Sequence, residues 1–276
     1  MSSCNPTWGV ALLSGGVAGT AVDVTLFPLD TIKTRLQSGQ GFVKSGGFRN
    51  IYAGLGPAAL GSAPNAALFF CTYEMSKSTL SPLFSHSSQP VVHMIAASAG
   101  EIAACLIRVP VEIIKQRRQA NSAGGASSTQ LFKNVIHKEG VRGLYRGYLT
   151  TVLREIPFSF IQFPLWELFK SQWASSSGKE LQSWKSSCCG AVAGGISAAV
   201  TTPLDVAKTR IMLAESGSEI AKSAGTIFTM KEVYKSQGIK GLFSGVVPRV
   251  MWISIGGAVF FGVYEEGKTF FSSMNK

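Results

Sequence analysis

The chain has 276 residues, of which 46% are hydrophobic and only 15% are charged. Soluble domains carry roughly 25% charged residues, so this composition indicates a membrane protein and argues against an ordinary soluble domain. The formal net charge of +11 favours an anionic partner, either nucleic acid or a leaflet rich in anionic lipid. The five cysteines are odd in number and match no zinc spacing, so we expect no metal site, and no motif predicts a cofactor.

One stretch of eight residues occurs three times and organises the chain. It has the pattern proline, any residue, acid, two further residues, lysine, any residue, arginine, and its copies begin at Pro28, Pro110 and Pro203. We call each copy an octet. Each octet follows a long apolar run, and three copies in one chain indicate a threefold internal repeat.

Six apolar runs approach the roughly 20 residues that a transmembrane helix needs. They cover 8–29, 54–73, 91–109, 148–169, 184–204 and 246–264. Gly54, Gly147 and Gly245 each lie 20 residues before an acid, namely Glu74, Glu167 and Glu265, so the repeat keeps one register. We therefore predict an all-α membrane protein with six transmembrane helices in three hairpin repeats of pseudo-threefold symmetry, which form one transmembrane domain. The predicted repeats are 1–80, 88–175 and 181–272, with short surface helices in the polar connections.

The octet charges predict a ring of ion pairs. A charge inside a membrane span is costly unless it is paired or faces water. Around a threefold axis, each octet acid can meet the lysine of a neighbouring octet. The predicted pairs are Asp30 with Lys115, Glu112 with Lys208, and Asp205 with Lys33, and at the opposite helix ends Glu74 with Lys170, Glu167 with Lys268, and Glu265 with Lys77. Two such rings would form two gates used in alternation; the alternative is that the pairs only set the tilt of the helices.

The threefold octet resembles the signature of the mitochondrial carrier family, and the resemblance covers the whole chain. It implies a monomeric exchanger in the mitochondrial inner membrane, in contact with inner-membrane lipids such as cardiolipin, with its octets at the matrix gate. No basic residue precedes Lys33, so we expect no cleavable presequence.

The same resemblance implies which polar side chains brace the two gates. Gln37 and Gln119 match the glutamines of the matrix gate, and the third position is held by Met212. Tyr73 and Tyr264 match the tyrosines of the cytoplasmic gate, where Trp166 replaces the remaining one. We therefore expect one matrix brace to be missing and one cytoplasmic brace to be altered.

Charged residues inside the apolar runs predict a solute site. The family's solutes meet the even-numbered helices seven residues past the repeated glycine, which selects Gly61, Arg154 and Trp252, and Ser62 and Glu155 follow two of them. Asp23 and Glu101 precede octet acids by seven and eleven residues, close to the same helix face. Two further arginines, Arg108 and Arg249, lie near Glu112 and Trp252.

This balanced set of acids and bases suits a zwitterion or a solute with one more positive charge. The carboxylates would hold an ammonium and a sulfonium, an arginine would bind a carboxylate through two hydrogen bonds, and Trp252 would stack on adenine or face a cation. Two alternatives remain: Asp23 forms a structural pair with Arg108 or Arg249, and Trp252 faces lipid.

Runs around these residues are similar to family members that exchange S-adenosylmethionine for S-adenosylhomocysteine. They include 96–101, 105–110 and 152–159. The resemblance implies the same exchange here, and the alternative within the fold is another adenine-containing or cationic amino-acid solute. A basic helical protein that binds nucleic acid is disfavoured by the apolar runs. An enzyme is disfavoured because His86, His93 and His137 lie in or beside loops, with no recognisable nucleophile partner.

Overall fold

A computed structural model describes residues 8–83, 89–120, 127–177, 183–214, 217–223 and 225–256. All regular structure in these ranges is helical. The helices are α1 (Trp8–Gln37), α2 (Leu55–Leu80), α3 (Gln89–Ala120), α4 (Ser128–Leu144), α5 (Tyr148–Ser177), α6 (Ser183–Val200), α7 (Thr202–Leu213), α8 (Glu219–Ser223), α9 (Thr226–Leu242) and α10 (Val246–Gly256), and a short 3₁₀ turn (Ser81–Leu83) follows α2.

The three octet prolines have different local consequences. Pro28 and Pro110 lie inside the continuous helices α1 and α3. Before Pro203 the helix is interrupted, and α6 and α7 meet at an angle of 63°. Proline is well tolerated in the first turn of a new helix because the N–H that it lacks would have no intrahelical acceptor there. The predicted fifth run, 184–204, is therefore not one continuous helix, since α6 stops at Val200 and α7 begins at Thr202.

Helix packing brings the octets together. The octet-bearing helices α1, α3 and α7 each contact the other two. Helix α2 packs extensively against α3, α5 packs against α6, and α9 packs against α7. The octets therefore converge at one end of the helix assembly.

The polar connections differ from one another. Helix α4 contains the short surface helix predicted near 130–138, and α9 supplies a second one. The connection between α1 and α2 is a series of turns, so the prediction of a surface helix is wrong there. Gly41, Gly46, Gly47 and Asn50 have positive φ in this connection, which a right-handed helix does not accommodate.

Apolar length by itself identifies few spans in the described residues. The segment Met94–Ala120 is long and apolar enough to cross a membrane, and Lys185–Val200 with Thr202–Leu213 qualifies if the bent pair counts as one span. Large apolar side chains such as Leu60, Phe70 and Phe160 are nevertheless exposed. Exposed apolar surface of this kind marks contact with lipid or protein.

Two of the repeated glycines allow a close approach of backbones. Gly54 and Gly245 have φ of 99° and 74°. A Cβ on Gly54 would lie 3.1 Å from the carbonyl oxygen of Lys115, and a Cβ on Gly245 would lie 3.2 Å from that of Lys33. Gly54 therefore lets the start of α2 approach the backbone of the second octet, and Gly245 lets the start of α10 approach the backbone of the first.

Replacing either glycine by alanine is expected to destabilise the folded protein. A left-handed backbone with a crowded Cβ costs about 1–3 kcal/mol, so Gly54→Ala and Gly245→Ala should both lower the Tm of the purified protein by several degrees. Gly56→Ala is the matched control, because no atom lies within 4 Å of the Cβ position there. An equal Tm for Gly54→Ala and Gly56→Ala would contradict this explanation.

Candidate solute cavity and octet ring

The octet charges form a closed ring of three ion pairs. Lys115 Nζ lies 2.7 Å from Asp30, Lys208 Nζ lies 2.8 Å from Glu112, and Lys33 Nζ lies 2.8 Å from Asp205. Every pair joins two different octets. We call these six residues the octet ring. The side chains of Asp205 and Lys208 are only 4% exposed, so the third octet contributes the most buried charges.

Two glutamines bridge neighbouring octets beside the ring. Gln37 Nε2 donates to Asp205 at 2.9 Å, and Gln37 Oε1 accepts the Thr209 hydroxyl at 2.7 Å. Gln119 makes the equivalent contacts with Asp30 and Thr34, at 3.1 and 3.0 Å. Hydrogen bonds to a carboxylate are stronger than neutral ones, so both glutamines stabilise the ring in its closed form.

At the third interface of the ring, no glutamine among the described residues forms such a bridge. Met212 occupies the position equivalent to the two glutamines, and it is buried in an apolar cluster with Cys105, Val109 and Ile113. Gln116, which the sequence reasoning missed, donates to Glu112 at 2.9 Å from within its own helix. Its signal in the sequence was its place four residues after the octet acid.

The final arginine of each octet ties its helix to the end of another. The Nε atoms of Arg35, Arg117 and Arg210 donate to the carbonyls of Gln119, Met212 and Gln37, at 2.9, 3.1 and 2.5 Å. The acceptors lie in the last turns of α3, α7 and α1, where carbonyls lack partners within the helix. A cation at a helix C-terminus is also favoured by the helix dipole.

Outside the ring, Glu139 links α4 to the second octet. Its carboxylate lies 2.7 Å from Arg117 and 2.7 Å from Arg146. Burial lowers the pKa of the Arg146 guanidinium, and the negative charge of Glu139 opposes that shift. The first octet has no acid at this position, and Arg35 Nη1 donates instead to the Gly47 carbonyl at 2.6 Å.

A cavity of about 330 Å³ lies directly against the octet ring. Its size is at the lower end of the range for small-molecule pockets, about 300–1,000 Å³. All six ring residues line it. The lining also includes the predicted site residues Gly61, Ser62, Arg108, Arg154, Arg249 and Trp252. Across the described ranges, no group of three His, Cys, Asp or Glu residues could hold a metal ion. The lining of the cavity consists of charged, polar, apolar and aromatic side chains.

A line of alternating charges runs from α3 across α5 to the ring. Arg108 pairs with Glu101 and lies 3.8 Å from Glu155. Arg154 pairs with Glu155, and its Nε lies 3.7 Å from Asp205. This Nε is buried and donates no hydrogen bond to any described residue. Arg154 also lines the cavity, so it lies between the solute space and the ring acid Asp205.

Arg249 has a supporting role in addition to lining the cavity. It is 2% exposed and donates to the Thr201 carbonyl at 3.1 Å and to the Thr201 hydroxyl at 2.9 Å. It also lies 3.5 Å from Asp205. Arg249 therefore holds α10 against the break between α6 and α7 and helps to fix the ring acid.

At the opposite end, Lys170 contacts its own helix instead of Glu74. Its Nζ lies 3.2 Å from Glu167 and 4.1 Å from the ring centroid of Trp166. Residues three apart share a helix face, which explains the contact with Glu167. The Trp166 indole N–H donates to the Ser186 carbonyl at 3.1 Å, so this side chain is fixed against α6.

Several predicted site residues cannot be placed. The side chain of Asp23 and the residues Tyr264, Glu265 and Lys268 lie outside the described part of the chain. The predicted pairs that include Glu265 or Lys268 lie outside it as well. Within the described part, Lys77 Nζ lies 5.8 Å from the ring centroid of Tyr73.

Three equivalent octets, their closed ring and the cavity above it define a membrane transporter. The sequence model of the family described as Mitochondrial carrier protein matches residues 5–83, 86–177 and 179–275. The chain belongs to the mitochondrial carrier family and is a transporter, not an enzyme. The family predicted from the octets is thereby confirmed.

Relatives with curated names are similar along almost the whole chain. The chain is 58% identical over 256 residues to the "Mitochondrial S-adenosylmethionine carrier protein" of Danio rerio, covering 93% of this chain and 95% of the relative. It is 56% identical over 264 residues to the Mus musculus protein of the same name, covering 96% and 95%. The "S-adenosylmethionine mitochondrial carrier protein homolog" of Drosophila melanogaster is 58% identical over 257 residues, covering 92% and 90%. The family and these relatives support a location in the mitochondrial inner membrane.

Proposed function

We propose that this chain imports S-adenosylmethionine across the inner mitochondrial membrane in exchange for S-adenosylhomocysteine. The observation that carries the proposal is the cavity beside the octet ring, with Arg154 and Trp252 in its lining and Glu155 paired to Arg154. The names of the relatives supply the identity of the solute.

The cavity and the ion pairs beside it offer a group for each part of S-adenosylmethionine. The guanidinium of Arg154, which lines the cavity, would bind the solute carboxylate. Glu101 and Glu155 are not lining residues, but they pair with the lining arginines Arg108 and Arg154 and would supply negative charge near the ammonium and the sulfonium. Trp252 in the lining would supply an aromatic face for adenine or for a cation. Six basic side chains and three acids line the cavity, and Glu101 and Glu155 offset part of this excess because they pair with Arg108 and Arg154.

The proposed mechanism is alternating access in a monomer of six transmembrane helices with pseudo-threefold symmetry. The three hairpin repeats are 1–80, 88–175 and 181–272, the octets face the matrix, and inner-membrane lipids such as cardiolipin surround the helices. The closed octet ring, together with Lys170 held by its own helix, supports a state in which the matrix gate is shut. Opening the ring separates ion pairs that are largely buried, which is costly unless other contacts compensate, so solute binding has to offset part of that cost.

Exchange in proteoliposomes tests this function. Purified protein in vesicles loaded with S-adenosylhomocysteine should take up labelled S-adenosylmethionine, and vesicles without internal solute should take up little. Protein-free vesicles that carry the same load are the control for leakage. Uptake no higher than in protein-free vesicles would end the proposal.

A second candidate keeps the carrier and changes the solute. The ring lysines Lys33, Lys115 and Lys208 also line the cavity, and they favour a phosphate-bearing adenine nucleotide over a basic amino acid. A true ligand stabilises the folded state by mass action. We expect S-adenosylmethionine and S-adenosylhomocysteine to raise the Tm, and ATP, lysine and arginine to leave it unchanged; the reverse ranking would favour the second candidate.

A further inference from the structure

The three interfaces of the octet ring are built from two equivalent positions. Four residues after each octet acid the chain has Thr34, Gln116 and Thr209. Seven residues after each acid it has Gln37, Gln119 and Met212. Two interfaces thus combine a threonine with a glutamine from different octets. At the third interface, Gln116 occupies the position that holds threonine in the other two, and Met212 occupies the position that holds glutamine.

The backbone of Met212 makes the same contact as the backbone of the equivalent residue Gln119. Its carbonyl accepts the Nε–H of Arg117 at 3.1 Å, as the carbonyl of Gln119 accepts that of Arg35 at 2.9 Å. A glutamine at 212 would therefore start from the same backbone position as the two glutamines that reach a ring acid. The difference lies in the side chains alone.

At this interface the polar support comes from within one helix. Gln116 is 7% exposed, and its Nε2 donates to Glu112 on the same helix at 2.9 Å. Its Oε1 is buried and accepts no hydrogen bond from any described residue. At the other two interfaces the matching oxygen accepts a threonine hydroxyl from another octet, at 2.7 and 3.0 Å.

We infer that Gln116 is a relocated brace, which orients Glu112 without tying the second octet to the third. Met212 replaces the missing bridge with apolar contacts to Cys105, Val109 and Ile113. Hydrophobic contacts are not directional, whereas the bridging hydrogen bonds require fixed geometry. The matrix gate is therefore asymmetric, and it parts first between α3 and α7, at the pair Glu112–Lys208. That the ring acts as a gate rests on the proposed function, whereas the asymmetry of its interfaces does not.

Restoring the bridge tests this inference without any solute. Cys105 is buried against Met212, so the rate at which N-ethylmaleimide labels it reports separation of α3 from α7. In protein whose other four cysteines are alanine, the double variant Gln116→Thr/Met212→Gln recreates the arrangement of the other interfaces. We expect its Cys105 to be labelled about 5- to 20-fold more slowly, as one or two added hydrogen bonds imply. Met212→Leu is the control, since it adds no polar group, and its labelling rate should match that of the parent.

A labelling rate in the double variant equal to that of Met212→Leu would overturn the inference. An equal slowing in both variants would also overturn it, because packing would then control the opening. A reciprocal variant, Gln37→Met/Thr209→Gln, covers the case in which the first variant does not fold. It should raise the turnover of exchange several-fold with KM unchanged, and unchanged or slower turnover would overturn the inference. If no variant transports any solute, the proposed function fails, while the labelling rates still decide the asymmetry.

Discussion

Asp205→Asn is expected to abolish exchange and to destabilise the folded protein by about 3–5 kcal/mol, the cost of breaking a buried ion pair. The Asp205 side chain is 4% exposed and lies 2.8 Å from Lys33, 3.5 Å from Arg249 and 3.7 Å from Arg154. Gln37 donates to it as well, at 2.9 Å. Neutralising this one carboxylate leaves three cations around an uncharged amide.

Asp30→Asn is the matched control for this effect. Asp30 holds the equivalent position in the first octet, but its side chain is 20% exposed and it pairs with Lys115. Solvent can compensate Lys115 more readily, so the loss of stability should be clearly smaller. Thermal unfolding and exchange in proteoliposomes would measure both variants. A loss for Asp205→Asn no larger than that for Asp30→Asn would show that its additional contacts contribute nothing.

Glu155→Gln is expected to impair transport of S-adenosylmethionine far more than that of S-adenosylhomocysteine. The two solutes differ by the sulfonium charge, and Glu155 supplies a carboxylate beside Arg154 and Arg108. A hydrogen bond or contact to a charged group is worth about 1.5–3 kcal/mol, which corresponds to roughly 10- to 100-fold. The kcat/KM for S-adenosylmethionine should fall by that factor, and the value for the neutral solute should fall much less.

Glu167→Gln provides the control on the same helix. Its side chain is 66% exposed and lies at the opposite end of α5 from the ring, so the preference between the two solutes should not change. Equal losses for both solutes in Glu155→Gln would mean that Glu155 only orients Arg154. Unfolding curves for both variants would separate this outcome from a general loss of folded protein.

The residues of the octet ring could be located from the sequence because the octet repeats three times. A threefold arrangement leaves few ways to pair three acids with three lysines, and in the structure each pair joins two octets. The long helices also follow from the apolar runs. The family followed from the octets themselves, whose spacing is far more specific than apolar content.

The break between α6 and α7 could not be predicted from the octet. All three octets begin with proline, yet α1 and α3 continue through Pro28 and Pro110. At the third octet, Arg249 of α10 donates to the Thr201 carbonyl at the break. That contact spans 48 residues, so no local pattern reveals it.

Contacts between two side chains of the same helix also could not be predicted from the sequence. Gln116 and Lys170 both bind an acid of their own helix, at 2.9 and 3.2 Å. Such contacts depend on rotamers and on the groups nearby, here the apolar Met212 of a neighbouring helix beside Gln116 and the indole of Trp166 on the same helix as Lys170. The spacing of residues allows these contacts but does not distinguish them from pairs across the ring.

Release of a preloaded solute tests the central claim most directly, namely that one cavity with alternating gates exchanges two related solutes. Proteoliposomes would be loaded with labelled S-adenosylmethionine, and unlabelled compounds would then be added outside. We expect rapid loss of label with S-adenosylmethionine or S-adenosylhomocysteine and no loss with buffer or ATP. Equal loss of label in buffer, or loss with ATP alone, would contradict the account.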